Sequence, residues 1–106
     1  MPELCIALYR PHDGKADDLM KLVEQHLPLI RRLGLATERA AIHATAEDGT
    51  VLEIFEWADG AAAEKAHSDP DVAALWGAMA EIADFPTLGD IPEAATRFPH
   101  FRPLSL

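Results

Sequence analysis

The apolar run LCIALY at residues 4–9 has no polar break and ends on Arg10-Pro11, which predicts a first strand. The turn PHDG follows, and from Lys15 the period changes. Leu19, Val23, Leu27 and Ile30 recur every three or four residues, with Met20, Leu22 and His26 beside them, as on one face of a helix. Gly34 is a natural left-handed stop after IRRL. Pro28 inside this stretch cannot donate to the carbonyl of Glu24, so a kink or break is expected there. ATERAAIHATA at 36–46 predicts a second strand, EDGT a hairpin turn built on Asp48-Gly49, and VLEIFEW at 51–57 a third strand. Asp59 suits the N-cap of a short helix ending near His67, and Asp69-Pro70 restarts the chain as cap and first helical residue. Val72, Leu75, Trp76, Met79, Ile82 and Ala83 make one apolar stripe on the helix that follows. A loop with one helical turn at 92–95 then leads to TRFPHFRPL, a last extended segment that Pro99 and Pro103 confine to an edge or to irregular strand.

The order is β-α-β-β-α-β, which predicts an α+β, ferredoxin-like domain with two helices on one face of a four-stranded antiparallel sheet. A sheet open to water on its other face should alternate apolar with polar. Here Leu4, Ile6 and Leu8 oppose Cys5, Ala7 and Tyr9, and Leu52 and Ile54 oppose Val51, Phe55 and Trp57. Two apolar faces with helices for one of them predict that a second copy covers the other, as a homodimer packed sheet on sheet.

A length of 106 residues fits one domain, residues 1–106, able to bury roughly 60–70% of its unfolded surface without staples. The net charge of −9 disfavours nucleic acid and anionic membrane surfaces as partners. No apolar run reaches a membrane-spanning length, and the acidic start of MPELCIALYR does not read as a signal peptide. With Cys5 as its one cysteine the chain forms no internal disulfide, and a cytoplasmic location is expected.

No strong catalytic motif is present: no GxGxxG, no P-loop and no nucleophile elbow. Cys5, in an apolar strand without a basic neighbour, reads as an inert thiol. Five histidines, at 12, 26, 43, 67 and 100, form neither HxH nor HExxH, so neither a metal site nor a cofactor is expected. His43 shares a strand face with Ala41 and Thr45 and must point at the helices or at a partner. Glu53 lies mid-strand on the face of Val51 and Phe55, where a carboxylate is costly unless paired. The preferred reading is an ion pair with a basic residue on the neighbouring strand, such as Arg39; the functional one is a base of raised pKa. Trp76 reads as core first and pocket wall second, and Tyr9 as a ring that packs while its hydroxyl meets water or a ligand.

The strand LEIFEW, the following A…AH…DPDVAALW and the late IPEA…F…F…PL resemble the antibiotic-biosynthesis-monooxygenase-like (ABM) proteins of the dimeric α+β barrel superfamily. The resemblance covers nearly the whole chain, is most specific over 51–79, and is supported by LPLIRRLGLAT at 27–37. It implies a homodimer whose sheets close a barrel, with Trp57 at the barrel edge or dimer seam and a ligand pocket between sheet and helices in each subunit. Some members are cofactor-free monooxygenases of quinol-like aromatics and others degrade haem. The haem-degrading members use an asparagine on the first strand, then a tryptophan and a histidine around the second helix. Aligning Asp71-Val72 places His67 at the tryptophan and Gly77 at the histidine, and the chain contains no asparagine. The haem-degrading triad is therefore absent, and the cofactor-free activity, which also leans on an asparagine, loses support.

What the resemblance leaves is a pocket lined by Tyr9, His43, His67 and Trp76, with Glu53 as a further expected substrate contact. In an enzyme, His43 or His67 would be the base, since an imidazole titrates near neutral pH, while Tyr9 and Trp76 would clamp a small aromatic ring. The alternative is a dimeric module that binds a small apolar or aromatic ligand without turnover.

Overall fold

The computed structural model describes all residues from Met1 to Leu106. Strand β1 (Glu3–Pro11) is followed by helix α1 (Ala16–Arg32), the hairpin β2 (Ile42–Thr45) and β3 (Val51–Trp57), and helices α2 (Ala62–His67) and α3 (Pro70–Ile82). A two-residue strand β4 (Ala83–Asp84), two 3₁₀ turns at Leu88–Asp90 and Pro92–Ala95, and strand β5 (Arg102–Leu104) complete the chain. The sheet is antiparallel and five-stranded, in the order β4-β1-β3-β2-β5.

The central β1-β3-β2 order is that of a ferredoxin-like sheet, but the outer strands differ from the expected four-stranded arrangement. The place beside β1 is taken by β4, because α3 unwinds straight into extended backbone at Ala83 (φ −149°, ψ 156°) and pairs with Arg10 and Pro11. The last strand is shorter than predicted and lies at the opposite edge, against His43–Thr45 of β2. Its proline is tolerable there, at a margin of the sheet with no strand beyond it. The second strand is also shorter than 36–46: Ala36 bridges to Trp57, and Arg31 then holds the carbonyls of Thr37 and Arg39, so the chain bends before pairing resumes at Ile42.

Local chemistry explains the boundaries. Helix α1 runs through Pro28 to Arg32 and is closed off by Gly34, whose φ of +75° suits a residue without Cβ. The amide of Leu35 then bonds back to the carbonyl of Ile30 at 2.9 Å, closing the helix end. Pro28 costs one intrahelical bond near that end, while Leu27 and Ile30 on either side are buried and keep the last turn in place. Asp69 caps α3 by accepting from the amides of Asp71 (2.9 Å) and Val72 (3.0 Å), with Pro70 in the first turn. Gly49, at φ +89°, turns the hairpin.

The odd residues of β1 and β3 face the helices. Leu27, Ile30, Phe55, Trp57, Ala66 and Val72 form one cluster, and Tyr9, Leu19, Val23, Val51, Leu75 and Met79 another. Trp57 is thus part of the helix-side core, its ring centroid 4.9 Å from that of Phe55, rather than at an edge. The other face is partly covered by the chain's own C-terminal segment, with Ile91 and Phe101 on Leu8 and Leu52. Arg10 ties that segment down, bonding the carbonyl of Asp90 (3.3 Å) as well as Thr50 and Asp48 in the hairpin. Leu4, Ile6 and Ile42 on this face remain 68%, 43% and 60% exposed.

Candidate functional site

The apolar stripe of α1 includes a histidine, and the middle of β3 carries a glutamate on the same side of the sheet. His26 is 2% exposed and Glu53 0%, so each needs a partner, and they find each other: His26 Nδ1 lies 2.7 Å from Glu53 Oε1. The carboxylate takes two further bonds. Tyr9 Oη donates to Oε1 at 2.9 Å, and His43, directly across the hairpin in register with Glu53, reaches Oε2 through Nε2 at 2.8 Å. On its far side His26 Nε2 accepts the indole N–H of Trp76 at 2.9 Å.

These contacts fix the proton positions. An indole N–H only donates, so Nε2 of His26 is the bare nitrogen and Nδ1 carries the hydrogen that goes to Glu53. His43 donates from Nε2 to the same carboxylate. Glu53 thus accepts three hydrogen bonds as an anion. Burial pushes its pKa upward, but the bonds from His26 and His43, the electrostatic pull of His26 and the bond from Tyr9 prevail and bring it down to about 2. The expected partner, Arg39, instead bonds Glu56 at 2.8 Å. Glu53 is therefore a fixed negative charge at neutral pH rather than a base of raised pKa. Tyr9, buried against that charge, has its phenol pushed far above the ordinary range, first by burial and then by Glu53. Its hydroxyl is spent on the carboxylate rather than offered to solvent.

His26 and Tyr9 form part of the wall of a cavity of about 330 Å³, together with Cys5, Ala7, Phe55, Trp57, His67, Trp76 and Phe85. That is the low end of volumes that hold small organic ligands. Aromatic rings dominate the wall: His67 packs edge-on against Trp76 with centroids 4.7 Å apart, and Phe85 packs edge-on against Tyr9 at 5.9 Å. His67 is exposed and stands at the mouth; Trp76 is half-buried between mouth and His26. Burial raises the pKa of the Cys5 thiol, which makes it a poor nucleophile.

Of the residues singled out from sequence, Tyr9, His67 and Trp76 meet in this cavity. His43 does not. It lines a separate groove of about 700 Å³ between α1 and the β2–β5 edge, with Glu24, Leu27, Arg31 and Leu104, and touches the cavity only through Glu53 and His26. His26 is the residue that sequence reasoning passed over. Its signal was its place on the 19-23-26-30 spacing, where an imidazole points inward and requires a partner. No group of three or more His, Cys, Asp or Glu converges to hold a metal ion, and no helix is long and apolar enough to cross a membrane. No family model, curated protein or solved structure matches the chain.

Proposed function

We propose that this chain is an ABM-like, cofactor-free monooxygenase of a small aromatic, quinol-type substrate. The observation that carries the reading is an aromatic-walled cavity with one buried imidazole at its base, oriented by an ionised carboxylate. A hydroxylated ring enters between Tyr9, Phe55 and Trp76. His26 accepts its acidic proton at Nε2, while Nδ1–H stays on Glu53, whose charge stabilises the imidazolium that forms. His67, at the mouth, is the second imidazole able to take up a proton and pass it to solvent. The carbanion then reduces O₂. For an activated methylene the balance is R₂CH₂ + O₂ giving R₂C=O + H₂O, one oxygen atom entering the product and the other leaving as water with both methylene hydrogens. Oxygen uptake with a panel of hydroxylated aromatics tests this in wild type, His67→Ala and His26→Phe. Loss of uptake in His26→Phe supports it; equal rates in all three proteins, or none in any, remove it.

The second reading is a binding protein without turnover. It is favoured by one contact, the Trp76 N–H that already occupies the bare nitrogen of His26. A ligand that raises the melting temperature without consuming oxygen would select it.

Either reading includes a homodimer in a reducing, cytoplasmic setting. Leu4 and Ile6 of β1 and Ile42 of β2, bridged by Ile54 of the intervening β3, form an exposed apolar strip which a second copy would cover. Sedimentation at micromolar concentration should give twice 11.6 kDa, and a single 11.6 kDa species would refute the dimer.

A further inference from the structure

We infer that Trp76 is a donor gate over His26, so that the cavity admits ligands that bring a hydrogen-bond donor, a phenolic hydroxyl above all, and discriminates against the corresponding ethers. The inference rests on the reading of the cavity as an aromatic-ligand pocket and adds what that pocket selects.

Glu53 accepts from Tyr9 Oη, His26 Nδ1 and His43 Nε2, so none of these hydrogens is free to meet a ligand. The polar feature His26 offers the cavity is therefore the lone pair on Nε2, and the Trp76 indole covers it at 2.9 Å. His26 is 2% exposed with the indole in place, so Nε2 is a buried acceptor whose partner there is the Trp76 N–H. Trp76 is half-buried and, with the exposed His67 packed against it, lies on the path from the mouth. When the indole turns outward its N–H meets solvent, and a ligand hydroxyl takes its place on Nε2. The count of hydrogen bonds is unchanged. An ether or a carbonyl in the same position sets lone pair against lone pair and leaves a buried acceptor unmade. The neighbouring ionisable groups do not alter this: Cys5 is a neutral thiol, Glu24 and Arg31 belong to the groove on the far side of Glu53, and His67 stands at the mouth.

The test uses 2-naphthol and 2-methoxynaphthalene as probes, by calorimetry on wild type and Trp76→Phe, with long-range nitrogen–proton NMR of His26 in the ligand-free wild type. The expected results are an Nδ1–H tautomer at neutral pH, and naphthol bound at least about tenfold more tightly than its ether. In Trp76→Phe the competing N–H is gone, so naphthol should bind several-fold more tightly still while the ether changes little. An Nε2–H tautomer in the wild type overturns the inference before any ligand is added. Equal affinity for the two probes, or a substitution that weakens both alike, makes Trp76 a plain wall and overturns the gate while leaving the aromatic pocket standing. Binding of neither probe to either protein overturns the aromatic pocket itself and the gate with it.

Discussion

Replacing Glu53 by glutamine removes one charge and almost no volume. The amide oxygen can still accept from Tyr9 and His26, and the amide NH₂ can face His43, whose hydrogen then moves to its other nitrogen on the groove side. No donor is orphaned, so what is lost is the charge itself. In the wild type the donors around that charge, His26, His43 and Tyr9, outweigh burial and lower the carboxyl from the ordinary 4.5 to about 2. A folded-state pKa below the unfolded one stabilises the fold above the unfolded value, and the benefit disappears as pH falls through the folded value. The gap corresponds to about 3 kcal/mol at pH 7, about 1 kcal/mol at pH 3 and almost nothing below pH 2. Urea unfolding of wild type and Glu53→Gln, followed by circular dichroism at pH 7 and pH 3, reads this directly. The two midpoints should lie far apart at pH 7 and close up in acid. A difference that is the same at both pH values would refute the reasoning, because it would locate the cost in packing rather than charge. Glu56→Gln is the control: its partner Arg39 is 65% exposed on the side chain, so its effect should stay below about 1 kcal/mol.

Asp69→Ala removes two bonds to the first turn of α3 and should cost about 1 kcal/mol, read as a lower urea midpoint with unchanged slope. Ile42→Glu places a charge on the exposed strip of the sheet and should convert the proposed dimer to a folded 11.6 kDa monomer by sedimentation, whereas a dimer that persists would move the proposed interface elsewhere. Cys5, half-buried and with a raised pKa, should react slowly with a disulfide reagent in the native protein at pH 7.5 and rapidly in urea; fast native labelling would mean that the cavity opens wide.

The elements with strong local punctuation were legible in the sequence. LCIALY, the Asp48-Gly49 turn, VLEIFEW and the Asp69-Pro70 cap each carry their own geometry, and each lies where its residues predict. What escaped depended on partners distant in the chain. The edge beside β1 fell to Ala83 and Asp84 because α3 ends where it does, which no propensity within TRFPHFRPL could reveal. The second apolar face suggested cover by another copy, and Ile91 and Phe101 of the same chain turned out to supply part of that cover. Glu53 was recognisable as a group needing a partner, but the partner follows from register. His43 sits opposite it across the hairpin, His26 descends from α1, and Arg39 is drawn off to Glu56 by the bend before β2. The aromatic grouping of Tyr9, His67 and Trp76 was legible; the base of the pocket, His26, was not, because a histidine beside an apolar stripe looks like a surface residue until a buried carboxylate stands opposite.

The cross-strand pairing of His43 with Glu53 also bears on the order in which the fold assembles. A hairpin closes in about 1–10 μs, whereas β1 can join β3 only after a much longer loop, containing α1, has closed. The carboxylate therefore meets its first donor within the hairpin, while water still surrounds it. His26 and Tyr9 arrive later, when α1 and β1 dock and expel that water. A chain that forms this hairpin first does not bury the charge alone.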